Sequence, residues 1–272
     1  RERSRKCMQK IQHGGICTMN KKIHGIIAAM VTPMDAEETV NLSELRHQTD
    51  RLIGAGIHGL FCLGTNGEAY VLEKKEKLEI IRNVAEQANG RVPVLAGTGC
   101  VSTKASAALA REAEKLGADA LSVISPWFAA ASQEELYRHF MTVADSVQIP
   151  VFLYNIPART GVNLSVETVS RLAQAGNIAG IKDSSGNFDQ ILQYIEATPS
   201  DFTVLSGNDS LVLWTLQAGG KGGICGIANL FPETMVSIYE LWKQGRFEEA
   251  KKVQDSIRAI RNLFRLGNPN TI

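Results

Sequence analysis

Between Pro150 and Lys182 the chain reads PVFLYNIPARTGVNLSVETVSRLAQAGNIAGIK, and this stretch decides the fold. Two short runs, Pro150–Asn155 and Ile178–Lys182, are apolar on both faces, as buried parallel strands are. An amphipathic segment and Gly176 lie between them, so the stretch reads as strand, helix, strand. The same grammar extends in both directions. Upstream runs are Ile26–Thr32, Gly59–Thr65, Val92–Thr98 and Ala120–Ser125; downstream ones are Phe202–Gly207 and Gly222–Ala228. Their starts are separated by 33, 33, 28, 30, 28, 24 and 20 residues, room each time for a helix and two loops. Ser132 and Glu135 form a capping box, in which the hydroxyl accepts an orphan N–H and the carboxylate returns to the cap backbone. Pro232 suits a first helical turn. Gly56, Gly90, Gly117, Gly176 and Gly219 fall where helices end and are expected to take left-handed caps.

Eight β-then-α units without an odd strand predict an α/β fold of the (β/α)8 TIM barrel type. A doubly wound sheet usually has fewer strands and a G-x-G-x-x-G turn after the first; here Thr32-Pro33-Met34-Asp35 follows. Beyond Asn229, Phe231–Gln244 is expected to complete the eighth unit and Arg246–Leu266 to form one appended C-terminal helix. The expected division is a leader over 1–20, barrel strands and helices over 21–230, and the last barrel helix with the extension over 231–272. Residues Arg1 to Thr18 are basic and carry no hydrophobic period or apolar signal core, which suggests a disordered or non-native leader. A sharper expectation is that the native chain begins at Met19. On that reading Gly14-Gly15 is the translation of a purine-rich ribosome-binding site, which the glycine codons would reveal.

Composition bounds the function. The 272 residues carry 29 Lys+Arg against 28 Asp+Glu, a net charge of +1, so no global field favours nucleic acid or an anionic membrane. The longest apolar run, Ile26 to Val31, is far too short to span a bilayer. Five cysteines, odd in number and never spaced CxxC, fit a reducing cytoplasm and no disulfide framework. Histidines do not gather at the strand ends: His24 and His58 precede strands, and His47 and His139 fall in helices. A metal-dependent barrel lyase would want two or more there, so no metal is expected.

In a barrel the site forms at the C-terminal ends of the strands. Those ends carry Gly64-Thr65-Asn66-Gly67-Glu68, Tyr154-Asn155, Lys182-Asp183 and Gly207-Asn208-Asp209, small, hydroxylated and amide residues suited to an oxygen-rich ligand. Lys182 closes a central strand, where lost hydration disfavours the ammonium; a neutral amine condenses with carbonyl carbon to a Schiff base. The competing reading is an ion pair with Asp183 or Asp209. Tyr154 ends the preceding strand and can pass protons to Lys182's adduct, against the plainer reading of a core aromatic. Thr65 is set to bond that phenol. Arg159 sits in a top-face loop, as a carboxylate clamp or as a solvated surface group. The glycines at 97–99 and 219–223 match no P-loop, and close strand packing explains them better than phosphate binding.

The motifs Gly64-Thr65-Asn66-Gly67-Glu68, Tyr154-Asn155-Ile156-Pro157, Gly180-Ile181-Lys182-Asp183 and Leu205-Ser206-Gly207-Asn208-Asp209 resemble the signatures of the dihydrodipicolinate synthase / N-acetylneuraminate lyase family, over about Lys22 to the C-terminus. The resemblance implies a class I lyase, usually a homotetramer, that joins or splits a 2-oxo acid such as pyruvate and an aldehyde. Its only cofactor-like group is the covalent imine on lysine. By motif position Lys182 resembles the imine-forming lysine and Tyr154 the proton-transfer tyrosine, assisted by Thr65. Thr65 and Asn66 stand where the family binds the 2-oxo acid carboxylate, and Gly207 and Ile224 match backbone positions lining that pocket.

Three departures shape the expectation. Asn66 replaces the usual second hydroxyl residue, keeping the backbone N–H but not the hydroxyl. Trp127-Phe128 replaces a Tyr-Tyr pair whose second member, in the synthases, donates its hydroxyl across a subunit interface to a proton relay. The chain stops at Ile272, where family members usually continue through more helix, as a shortened chain would. Arg159 in its Arg-Thr-Gly context resembles the synthases more than the neuraminate lyases. The leading expectation is a pyruvate-imine aldolase, for instance of 2-keto-3-deoxy sugar acids. The alternatives are 4-hydroxy-tetrahydrodipicolinate synthase, which condenses pyruvate with aspartate semialdehyde in lysine biosynthesis, and a non-catalytic barrel that binds a 2-oxo acid.

Overall fold

The computed structural model describes residues 23–264 and 266–267. The expected leader and the Met19 start lie outside those residues. Eight parallel strands close into a barrel in sequence order: β1 (Gly25–Ala29), β2 (Gly59–Cys62), β3 (Val94–Gly97), β4 (Ala120–Ile124), β5 (Val151–Asn155), β6 (Ile178–Asp183), β7 (Thr203–Ser206) and β8 (Gly222–Cys225). The last pairs with the first through Gly25–Gly222 to Ala28–Cys225. Each expected apolar run holds one strand, because alternating side chains pack inward against one another and outward against helices. Ile27, Phe61, Leu95, Phe152, Leu205 and Ile224 fill the interior. The outward set, including Ile26, Leu60, Leu121 and Ile181, forms a second, larger apolar layer under the helices.

The helices are α1 (Leu42–Gly54), α2 (Lys74–Ala88), α3 (Thr103–Lys115), α4 (Gln133–Ala144), a single turn α5 (Pro157–Thr160), α6 (Val166–Leu172), α7 (Phe188–Ala197), α8 (Val212–Gln217), α9 (Pro232–Lys243), α10 (Phe247–Ser256) and α11 (Arg258–Leu263). The capping box opens α4: the Glu135 N–H donates to Ser132 Oγ at 3.4 Å and the Ser132 N–H to Glu135 Oε2 at 2.7 Å. Pro232 opens α9. Gly56, Gly90, Gly117 and Gly219 take positive φ, but Gly176 does not, so that helix ends without a left-handed cap. The glycines near the strand ends are there for close approach. A Cβ on Gly97 would fall 2.0 Å from the Leu63 carbonyl oxygen, and one on Gly222 2.0 Å from that of Gly25.

Two expectations change. The appended segment is not one helix: at Ile257 ψ opens to −7° and the ladder breaks between α10 and α11. Ile257 is buried, and α11 beyond it packs against the turn at Asp209–Leu211 that follows β7. Several strands also end before their apolar runs do. After Cys62 the backbone turns at Leu63, whose φ is 60°, so Thr65 and Asn66 lie on a loop over the barrel mouth. Among the described residues no helix is long and apolar enough to cross a membrane.

Candidate active site

The barrel register brings the expected pair together. β5 and β6 are neighbours, and Tyr154 is paired with Lys182. Both side chains are buried, Lys182 at 4% exposure, among the interior side chains of the barrel. Lys182 Nζ lies 4.1 Å from the centroid of the Tyr154 ring and 4.9 Å from that of Phe61. The rings meet edge to face, with centroids 6.3 Å apart. An amine held against two aromatic faces is desolvated but keeps an electrostatic partner for its charged form. The Tyr154 hydroxyl and Thr65 Oγ1 are 3.1 Å apart, so the loop after β2 reaches across to the phenol. The left-handed turn at Leu63 makes that reach possible; a bulky residue there costs about 1–3 kcal/mol of backbone strain.

A cavity of about 360 Å³ opens at this end of the barrel, a size suited to a small metabolite. Thr65, Asn66, Tyr154 and Arg159 line it, with Phe61 and Trp127. Lys182, Gly207 and Ile224 are not on its wall. Lys182 is instead pressed against the two rings that are, and Gly207 is pressed against Lys182. A Cβ there would come 2.9 Å from Lys182 Cε. Ile224 packs in the same interior layer as Tyr154 and Phe61. The Asn66 side chain reaches toward the end of β8, where a Cβ on Gly226 would meet its Nδ2 at 2.7 Å. Ser122, also on the wall, is buried and its hydroxyl has no hydrogen-bond partner among the described residues.

No ion pair joins Lys182 to Asp183 or Asp209 among the described residues, although burial raises the Asp209 pKa against an opposing pull from the Lys182 charge. Asp183 accepts from Asn155, Ser185 and Gln190 instead. Asp209 faces Arg261 of α11 at 3.4 Å and accepts the Ile227 N–H at 3.1 Å. Burial pushes both carboxyls above the usual carboxylate range. Hydrogen bonds from Ser185 and Asn155 oppose this at Asp183, and the Arg261 charge opposes it at Asp209. Phe61 and Ser122 were missed in the sequence, although alternation along β2 and β4 points both inward.

A closed (β/α)8 barrel with a buried lysine and a tyrosine side by side at the strand ends has the arrangement of the class I, imine-forming aldolases. A model of the dihydrodipicolinate synthetase family matches residues 22–272, and the chain belongs to that family. It is therefore an enzyme of lyase type, in a family that works on pyruvate through a lysine Schiff base. Among its relatives, the 4-hydroxy-tetrahydrodipicolinate synthase of Methanopyrus kandleri is 41% identical, over 92% of this chain and 85% of that protein. The 4-hydroxy-tetrahydrodipicolinate synthase 1 of Halalkalibacterium halodurans is 40% identical, over 91% and 84%. Among solved structures, dihydrodipicolinate synthase DapA-2 of Bacillus anthracis superposes with a TM-score of 0.87 at 34% identity, covering 90% of this chain and 84% of that one. YagE of E. coli K12, a prophage protein of the same family solved in complex with pyruvate, gives 0.88 at 35%, covering 91% and 84%.

Proposed function

We propose that the chain is a pyruvate-dependent class I aldolase in which Lys182 forms the Schiff base. The carrying observation is the cross-strand pair: Nζ 4.1 Å from the Tyr154 ring, with the phenol 3.1 Å from Thr65 Oγ1. The neutral amine attacks C2 of the 2-oxo acid, forming a C–N bond while the carbonyl oxygen takes a proton from Tyr154. The carbinolamine then loses water to give the imine. With the imine as electron sink, Tyr154 takes the C4 hydroxyl proton, the C3–C4 bond breaks and the aldehyde leaves; the electron pair rests in the enamine until C3 is protonated, and water then hydrolyses the imine to free pyruvate and Lys182. The synthetic direction runs the same steps in reverse. Thr65 relays protons through Tyr154, and Thr65 with the Asn66 N–H holds the 2-oxo acid carboxylate. Gly207 and Ile224 take part from behind that subsite, Gly207 against Lys182 and Ile224 in the interior layer with Tyr154, and Arg159 takes a distal carboxylate of the acceptor. The acceptor in this reading is the aldehyde from a 2-keto-3-deoxy sugar acid that carries a second, terminal carboxylate, the group Arg159 would take.

Borohydride reduction with pyruvate, followed by intact and peptide mass, tests the reading. One reduced pyruvate adduct on Lys182 is expected. Unmodified protein would overturn it in favour of a barrel that binds without catalysis.

A second reading, 4-hydroxy-tetrahydrodipicolinate synthase, is favoured by the names of the relatives at about 40% identity. Phe128 argues against it, because it has no hydroxyl to complete a proton relay. Aspartate semialdehyde decides between them: turnover of about 1–10³ s⁻¹ with it would establish the synthase. A homotetramer belongs to this proposal, and Phe128 supports a subunit contact within it. Its φ is 80° and its ring is 99% exposed, a strained and uncovered aromatic of the kind subunit contacts cover. Light scattering reads the assembly directly. A cytoplasmic location completes the proposal, supported by Cys62, Cys100 and Cys225 as free thiols.

A further inference from the structure

The residue after Lys182 is a buried carboxylate that the reaction does not use. Adjacent strand residues face opposite sides, so Lys182 points into the barrel while Asp183 points toward the helices. Asp183 Oδ1 accepts from Asn155 Nδ2 at 2.8 Å and Gln190 Nε2 at 3.3 Å. Its Oδ2 accepts from the Ser185 N–H at 3.2 Å and the Ser185 hydroxyl at 2.6 Å. All four donors are neutral. Asn155, equally buried, is the β5 partner of Asp183 in the register, one step beyond the Tyr154–Lys182 pair.

Asn155 is saturated as well. Its Nδ2 also donates to Asn163 Oδ1 at 2.7 Å, and its Oδ1 accepts the Leu164 N–H at 3.0 Å. Asn163 and Leu164 end the loop that leaves β5 at Ile156 and carries Arg159. Helix α7 encloses the cluster: Gln190 accepts from Asn163 at 2.7 Å, and the Tyr194 hydroxyl donates to the Leu164 carbonyl at 2.6 Å.

We propose that Asp183 and Asn155 are a positioning pair that holds β5 against β6 at the level of Tyr154 and Lys182 and fixes the base of the Arg159 loop. Four donors converge on Asp183, so an acceptor-only group is required. An amide in its place sets an NH₂ against Ser185 in one orientation and against the Asn155 NH₂ in the other. In the first the Ser185 N–H loses its acceptor, and in the second Asn155 loses the orientation that binds Leu164. The proposal rests on the imine reading of Lys182 given above.

The test is a double-mutant cycle on the full chain, assayed with the aldehyde or aldol substrate that the wild type turns over. Asp183→Asn and Asn155→Asp are each expected to lower kcat tenfold or more and raise the acceptor KM severalfold at a temperature where both are folded. The exchanged double variant again faces one carboxylate with one amide and is expected to regain at least tenfold over the poorer single variant. Folded single variants with kcat and KM within twofold of wild type would overturn the proposal, even if their melting temperatures fall. So would a double variant no better than the product of the singles. If the single variants do not fold, Ser185→Ala, which removes one outer donor, decides: a three- to tenfold lower kcat supports the pair and an unchanged kcat overturns it. Borohydride trapping of wild-type Lys182 reports separately. No adduct overturns the imine reading, whereas an adduct with kinetically silent pair variants overturns only the positioning role.

Discussion

Gly207→Ala isolates the space around Lys182. Gly207 is not among the positive-φ glycines, so alanine meets no backbone strain and the effect lies in the added methyl alone. That methyl would sit 1.9 Å from Ser184 Oγ, 2.9 Å from Lys182 Cε and 3.0 Å from the Asp183 carbonyl oxygen. The serine hydroxyl can rotate away. The Asp183 carbonyl is held by the N–H of residue 207 itself at 2.6 Å, so Lys182 is the group that must move, by roughly 0.5–1 Å to restore ordinary van der Waals contact. Overpacking of this kind costs about 1–3 kcal/mol of stability, a fall of roughly 2–10 °C in melting temperature. A displacement near 1 Å at a reacting group costs up to about 10²-fold in rate. The assay is the rate of pyruvate-dependent borohydride trapping at Lys182, beside a thermal melt. Adding Ser184→Ala removes the 1.9 Å contact and is expected to return part of the stability while trapping stays slow. If Gly207→Ala melts lower yet traps pyruvate within twofold of wild type, the argument that this glycine makes room for the lysine is refuted.

Tyr154→Phe keeps the ring beside Lys182 but removes the hydroxyl 3.1 Å from Thr65; kcat is expected to fall by about 10²–10⁴ with little change in melting temperature. An unchanged kcat would remove the phenol from the proton path. Arg159→Ala is expected to raise the acceptor KM by roughly 10–100-fold, the worth of a charge-assisted hydrogen bond, and to leave pyruvate trapping intact. Slower trapping would instead assign Arg159 to the 2-oxo acid half of the site. His139, on α4, is buried with Nδ1 2.9 Å from Thr103 Oγ1 and Nε2 unpartnered among the described residues, and burial lowers its pKa to about 4. Because the unfolded chain binds this proton more readily, the stability is complete above about pH 6.5 and is lost as pH falls toward 4, by at most about 3 kcal/mol. His139→Asn is expected to flatten the fall in urea midpoint between those values, and an equally steep fall in the variant would show that another group carries it.

The barrel was legible because its strands are apolar on both faces and follow one another in spatial order. From that order alone Tyr154 and Lys182 had to be neighbours, and the register bears this out. What the sequence concealed depends on facts that are not local. An apolar run does not reveal where a strand stops, since Leu63 is as apolar as Cys62, yet its positive φ ends β2 and throws Thr65 over the barrel mouth. Nor does amphipathic period reveal the break at Ile257, a buried residue with no glycine or proline beside it to mark the spot. The two candidate ion partners of Lys182 differ in this respect. For Asp209 the decisive group is Arg261, 52 residues further on in a helix outside the barrel, and no spacing rule reaches it. For Asp183 alternation was sufficient: as the next residue on the same strand it faces away from Lys182 and had to find donors among the helices. A charged residue adjacent to a catalytic one in a strand is therefore better read as part of the support behind the site than as its counter-ion, and the four neutral donors around Asp183 are what that support looks like.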